Sequence, residues 1–140
     1  MNGPNIPEPA RKILLVEDEE FLRRIFKSRL MAEGYEVIDV GSAEGALDWL
    51  KHSQPHLIIL DLYLPKMNGF EFLKRLGQDP GRRNTPVLIL SGLGQETEIR
   101  RGLELGAREF VVKTKADPRE LLAKIRKMLN DENSGPPPCR

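Results

Sequence analysis

The chain has 140 residues, 39% apolar and 31% charged, with 22 Lys and Arg against 21 Asp and Glu for a net charge of +1. That describes one globular domain large enough to bury a core, and it argues against a dominant polyanion-binding surface and hence against direct nucleic-acid binding. A single cysteine, Cys139, excludes an intrachain disulfide framework and a cysteine metal site. No apolar run approaches membrane length. Residues 1–10 are polar and proline-bearing without an apolar h-region, so a cytoplasmic protein with a disordered N-terminal tail is expected.

The first element is the apolar run Lys12 to Val16, which ends in Glu17-Asp18-Glu19-Glu20. The acids lead into a helical pattern in which Leu22, Ile25, Phe26 and Leu30 recur at spacings of three and four, with Gly34 just past its end. Tyr35 to Val40 alternates as a strand, and Ser42 caps a helix striped by Ala43, Ala46, Leu47 and Leu50. Leu57 to Leu60 is four apolar residues, as in a strand buried on both faces, and Asp61 follows at its carboxyl end. Asn68 and Glu71 have capping-box spacing before a helix bearing Phe70, Leu73 and Leu76. Pro86 precedes the strand Val87 to Leu90, which ends in Ser91-Gly92. Gln95 to Leu105 is a helix with a thin stripe, Ile99 and Leu103. Glu109 to Val112 is the fifth strand, ending at Lys113. Asp117, Pro118 and Glu120 start the last helix, whose core stripe is Leu121, Leu122, Ile125, Met128 and Leu129. Residues 131–140 read as a disordered proline-rich tail or a truncated linker.

Five strands alternating with five helices imply a doubly wound parallel sheet, with helices on both faces. All strands then point one way, so Glu17, Asp18, Asp61, Ser91 and Lys113 converge on one sheet edge, where ligands bind in such folds. Three carboxylates brought together repel one another unless a cation intervenes. All-oxygen donors with room for water suit Mg²⁺. With a lysine and a hydroxyl beside them, these groups can stabilise a transferring phosphoryl group with a carboxylate as nucleophile. The competing reading, in which each residue only caps a helix or satisfies a turn, has to hold at the ends of four different strands at once. A flavodoxin-like cofactor enzyme is disfavoured, because acids stand where a glycine-rich phosphate loop would follow the first strand.

ILLVEDEEFLRRIF, LIILDLYLPKMNGFEFL, TPVLILSG, LELGAREFVVK and the capped last helix together resemble the response-regulator receiver domain of two-component signalling. The match spans roughly residues 11–130. The resemblance implies a CheY-like fold with the flavodoxin-like strand order 2-1-3-4-5. It implies that Asp61 accepts phosphate from a sensor histidine kinase or phosphotransfer protein. Asp18 becomes a direct Mg²⁺ ligand, Glu17 the acid that holds the metal through water, and the Tyr63 backbone carbonyl a further ligand. Lys113 pairs a phosphoryl oxygen, Ser91 is the switch hydroxyl, Phe110 the aromatic that follows it, and Gly92 the small residue that leaves the site open. The helix 4–strand 5–helix 5 surface would change on phosphorylation. Such a domain is not an enzyme in its own right, although it catalyses its own phosphorylation and dephosphorylation. Output would pass to a downstream protein partner, to a missing effector domain or through a homodimer. A phosphate-independent binding module of the same fold is the alternative, which the intact Glu17, Asp18, Asp61, Ser91 and Lys113 disfavour.

Two departures carry expectations of their own. The family usually has proline after the site lysine, in a cis bond, whereas Thr114 follows Lys113 here. A cis bond before a non-proline residue costs about 2.5–4 kcal/mol, so a trans bond and a shifted loop are expected. Two residues beyond Asp61 and Ser91 stand Tyr63 and Leu93, neither able to orient an attacking water as an acid or amide would, so a slow loss of phosphate is expected. His52 and His56 are four apart, but Pro55 between them ends the helix and argues against a metal pair. Trp49 reads as packing.

Overall fold

Why the apolar runs are continuous rather than alternating is explained by where they sit. The computed structural model describes residues 10–92, 94–113 and 117–133, the last three as backbone alone. Strands β1 (Lys12–Val16), β2 (Glu36–Val40), β3 (Leu57–Leu60), β4 (Val87–Ser91) and β5 (Glu109–Val112) form one parallel sheet in the order β2-β1-β3-β4-β5. Helices α1 (Glu20–Ala32), α2 (Ala43–Leu50), α3 (Gly69–Gln78), α4 (Glu96–Glu104) and α5 (Pro118–Asn133) alternate with the strands. This is the doubly wound, flavodoxin-like architecture expected. One face of the sheet sends Leu14, Val16, Ile58, Leu60, Val87 and Ile89 into a core shared with α2 and α3. The other sends Ile13, Leu15, Leu57, Ile59, Leu88 and Leu90 against Leu30 of α1 and Leu121, Ile125 and Leu129 of α5. With helices on both faces, the central strands are apolar along their length except at Lys12 and Ser91, their first and last residues.

Local signals start the helices as read. Ser42 Oγ accepts from the Gly45 N–H at 3.0 Å, Asn68 Oδ1 from the Glu71 N–H at 3.0 Å, and Asp117 Oδ1 from the Arg119 N–H at 2.9 Å. The capping box at Asn68 is only half made, because the Glu71 carboxylate turns to Arg75, 3.2 Å away. Gly34 adopts φ +95° at the end of α1, a backbone conformation costly for side chains with a Cβ.

Three elements differ from the sequence reading. On α3 Phe72 joins Leu73 and Leu76 as a buried side chain, while the expected Phe70 is half-buried against the same core with the Arg101 guanidinium 4.4 Å from its ring centroid. On α4 the sole buried residue is Gly102, while Leu103 is 44% exposed, so this helix rests on the sheet through backbone rather than through an apolar stripe. The backbone of α5 continues to Asn133, three residues into the stretch read as tail, as extending an existing helix costs far less than starting one.

Candidate functional site

The sheet register sets the site. Val16 pairs with Leu60 and with Val40, so Glu17 and Asp61 leave adjacent strands side by side. The ladder runs one step past the strands: the Asp61 N–H donates to the Val16 carbonyl at 3.0 Å, Glu17 N–H to Val40 at 3.1 Å, and Lys113 N–H to Ser91 at 2.8 Å. These backbone bonds set where the three residues leave the sheet before any side-chain contact is made. Gly69, at the first turn of α3, lets that helix approach the loop that follows β3. A Cβ there would lie 2.7 Å from Leu62 Cα and 2.9 Å from the Asp61 carbonyl oxygen.

Glu17, Asp61 and Ser91 are buried, with 2%, 6% and 0% exposure, at a place where ordinary packing would put apolar groups. Lys113 Nζ lies 2.5 Å from Glu17 Oε1 and 3.3 Å from Asp61 Oδ2. Asp61 Oδ1 accepts from the Tyr63 N–H at 3.1 Å and, more weakly, from the Ser91 hydroxyl at 3.5 Å. Asp18 is exposed beside them, and one carboxylate oxygen from each of Glu17, Asp18 and Asp61 lies within 4.8 Å of the others. Among the described residues this is the one such cluster of potential metal ligands.

Burial pushes the Asp61 carboxyl above the ordinary carboxylate range; Lys113 works against the rise and the charge of Asp18 adds to it. Burial also raises Glu17, against the pull of Lys113 and of the Glu19 N–H. For Lys113 burial acts to lower the pKa, but Glu17 and Asp61 together outweigh it and leave the ammonium harder to deprotonate than usual. One ammonium facing three carboxylates leaves negative charge in a desolvated place, which fits a divalent cation. Hard oxygen donors, with one ligand open to water, match the habits of Mg²⁺.

The remaining residues singled out by sequence are placed as follows. Phe110 is half-buried and packs against the α2–α3 core, 3.9 Å from where a Cβ on Gly102 would stand. Tyr63 is 45% exposed, and its hydroxyl donates to Glu98 on α4. A Cβ on Gly92 would meet nothing within 4 Å. His56 is committed elsewhere: its Nδ1 accepts from the Lys12 N–H at 2.8 Å. Trp49 is half-buried against the core. The expectation of a trans bond at Thr114, and the Leu93 half of the lifetime expectation, fall on residues outside the described ones.

Sequence reasoning missed Arg23. Its Nη1 donates to the Glu17 carbonyl at 2.9 Å and its Nε to Asp39 Oδ2 at 3.1 Å, with Lys27 Nζ 2.9 Å from Asp39 Oδ1. The available signal was Asp39 itself, an acid inside an apolar strand, with two cations four apart on the preceding helix. The Tyr63–Glu98 contact, in contrast, had no sequence signature.

A family model described as the response regulator receiver domain matches residues 13–126. The chain is 41% identical over 118 residues to the phosphate regulon transcriptional regulatory protein PhoB of Rhizobium meliloti (strain 1021), covering 84% of this chain and 52% of that protein. It is 38% identical over 118 residues to the probable transcriptional regulator ycf27 of Porphyridium aerugineum, covering 84% and 48%. The chain thus spans about half the length of the curated relatives it matches. A CheY-like response regulator receiver domain protein from Methanospirillum hungatei JF-1 has a similar structure, with a TM-score of 0.83, 28% identity, and coverage of 91% of this chain and all of that one.

Proposed function

The chain belongs to the response regulator receiver domain family, and from that premise we propose that it is a phosphorylation-controlled switch whose acceptor is Asp61. What supports the reading is one observation: a buried carboxylate held between an ammonium at 3.3 Å and a hydroxyl at 3.5 Å, with two further acids alongside.

A carboxylate oxygen of Asp61 attacks the phosphorus of a phosphohistidine on a sensor kinase or phosphotransfer protein. The P–N bond breaks, and the imidazole nitrogen keeps the bonding pair and takes up a proton. Glu17, Asp18, Asp61 and the Tyr63 carbonyl would hold Mg²⁺, which when bound supplies positive charge against the phosphoryl oxygens. Lys113 pairs one phosphoryl oxygen and Ser91 donates to another. Ser91 and Phe110 then carry the change to the α4–β5–α5 surface. The domain signals rather than turning over a substrate.

PhoB and ycf27 are named as transcriptional regulators. By analogy, output passes to a downstream protein partner, to an effector domain or through a homodimer, and the receiver domain itself makes no nucleic-acid contact. On this reading the encounter with the kinase is cytoplasmic. Separately, among the described residues no helix is long and apolar enough to cross a membrane.

The test is Mg²⁺-dependent labelling by a small phosphodonor such as acetyl phosphate. Wild type should incorporate phosphate and Asp61→Asn should not. Equal incorporation in both overturns the assignment.

A further inference from the structure

The three residues between β1 and α1, Glu17, Asp18 and Glu19, are all acids, and a chain of like charges has every reason to splay apart. Glu17 is tied at its N–H to Val40 and at its carboxylate to Lys113, but the turn beyond it has fewer bonds. Glu19, the N-cap of α1, makes no side-chain cap bond; Glu19 N–H instead donates to Glu17 Oε2 at 3.1 Å. The carbonyl oxygens on this turn are held by something else. Arg23 reaches back from the first turns of α1, its Nη1 donating to the Glu17 carbonyl at 2.9 Å and, at 3.5 Å, to that of Asp18.

The guanidinium is itself fixed. Its Nε pairs with Asp39 Oδ2 at 3.1 Å, and Asp39 is held a second time by Lys27 at 2.9 Å. The Arg23 and Asp39 side chains are 19% and 24% exposed, so this pair is shielded far more than the surface pairs such as Arg24 with Glu20. The space it occupies depends on a glycine. A Cβ on Gly41, the residue after β2, would lie 3.2 Å from Arg23 Nη1. A planar fork that bridges a carboxylate on one side and backbone carbonyls on another is work for arginine, and lysine cannot copy it.

We propose that Arg23 is the positioning residue of the acid pair: oriented by Asp39 and seated against Gly41, it clamps the Glu17 and Asp18 carbonyls and so fixes where their carboxylates project. The inference deepens the receiver reading above and rests on it for what the carboxylates bind. The clamp itself is a property of the metal-free chain.

Position and charge make opposite demands here, which allows a clean test. A cation near the acids disfavours a second cation, so if Arg23 acted only through its charge, removing that charge should tighten Mg²⁺ binding. If it acts as a clamp, losing the fork should weaken Mg²⁺ binding even when the charge is kept. The experiment compares wild type with Arg23→Lys, Arg23→Gln and Gly41→Ala, in two measurements. The first is amide hydrogen exchange of the metal-free proteins at Glu17 and Glu19; the second is Mg²⁺ titration followed by calorimetry, with thermal midpoints recorded alongside.

The clamp predicts faster exchange at both amides in all three variants. It predicts Mg²⁺ dissociation constants raised about tenfold in Arg23→Lys, in the range for losing a residue that orients metal ligands. Gly41→Ala should act in the same direction, and the Gly41→Ala, Arg23→Lys pair should cost less than the sum of the two. Unchanged exchange at Glu17 and Glu19 overturns the proposal, as does wild-type affinity in Arg23→Lys beside tighter binding in Arg23→Gln. If wild type binds no Mg²⁺, the metal reading fails, and the clamp then stands or falls on the exchange of the metal-free proteins alone.

Discussion

Gly102 is the residue through which α4 touches the sheet, and adding one methyl there is a severe perturbation for its size. A Cβ would stand 2.5 Å from Ile89 Cδ1, about an ångström inside ordinary van der Waals contact. Ile89 is fully buried on β4, so its terminal methyl can retreat only by pushing other core atoms. Overpacking of this kind costs about 1–3 kcal/mol. Replacing glycine by alanine inside a helix returns about 1 kcal/mol. Gly102→Ala should therefore lose roughly 0–2 kcal/mol in urea unfolding, the difference of those two effects. Ile89→Val alone deletes the offending methyl and should cost about 0.5–1.5 kcal/mol. In the double variant the clash is gone while the helix gain remains, so the pair should be more stable than the sum of the singles by about 1–3 kcal/mol. Additivity of the two changes within about 0.5 kcal/mol would refute the close approach of α4 to Ile89.

Asp61→Asn should stabilise the metal-free protein near neutral pH by about 1–3 kcal/mol, the usual scale for relieving a charge that burial and a neighbouring acid disfavour more than its bonds favour it. The sign follows from burial: Asp61 and Glu17 titrate above their ordinary values, so the stability they confer is full below about pH 4 and is lost as pH rises through the raised values. The gap between variant and wild type should close in acid, and a less stable variant at pH 8 contradicts it. Asp39 runs the other way. Burial acts to raise its pKa, but Lys27 and Arg23 prevail and hold it low, so its contribution persists above the usual carboxylate range and fades only as pH falls through the depressed value. Asp39→Asn should flatten the most acidic part of the stability profile, and an unchanged profile there argues against the pairing. Arg82, from the loop after α3, donates through Nε to the Leu50 carbonyl at 3.1 Å and through Nη1 to Gln54 Oε1 at 2.7 Å, closing the end of α2. Arg82→Ala should cost about 1–2 kcal/mol in the same urea assay, whereas a loss under about 0.3 kcal/mol would make this cap ornamental. On the receiver reading, a Tyr63→Asn, Leu93→Glu double variant should shorten the lifetime of phospho-Asp61, and an unchanged lifetime removes these side chains from control of hydrolysis.

Most of the fold was readable because its central strands are buried on both faces, which turns topology into continuous apolar runs broken at fixed places. The ends of those runs named Glu17, Asp61, Ser91 and Lys113, and parallel pairing then forces them together whatever the side chains do. What stayed hidden was contact made by polar reach or by the absence of a side chain. Phe72 is the more deeply buried ring and Phe70 only half-buried against the same core, because the start of α3 is set by Asn68 and the close approach at Gly69, details that shift a stripe by a fraction of a turn. Leu103 looked like core because periodicity has no way of recording that a glycine, lacking any hydrophobicity, is the packing residue. Arg23 was harder to see for a similar reason: Asp39 hinted at an ion pair, but the partners that matter to the site are backbone carbonyls, which every residue has.

The bonds of Asp61 show how a local acyl phosphate would become a surface change. Neither carboxylate oxygen is idle: Oδ1 takes the Tyr63 N–H and the Ser91 hydroxyl, and Oδ2 takes Lys113. On the proposed function, phosphorylating either oxygen displaces a partner, and the phosphoryl oxygens are the acceptors that replace it. If Oδ1 carries the phosphoryl group, the displaced donors are the Tyr63 amide and Ser91. Both lie on paths to α4: Tyr63 through its hydroxyl to Glu98, and Ser91 at the end of β4, two residues past Ile89, on which Gly102 rests. Among the described residues α4 buries only that glycine, so it has little apolar surface to resist displacement. On the proposed function, a helix that buries only Gly102 and takes the Tyr63 hydroxyl on Glu98 near its start is the element that a shift of one hydrogen-bond donor would move.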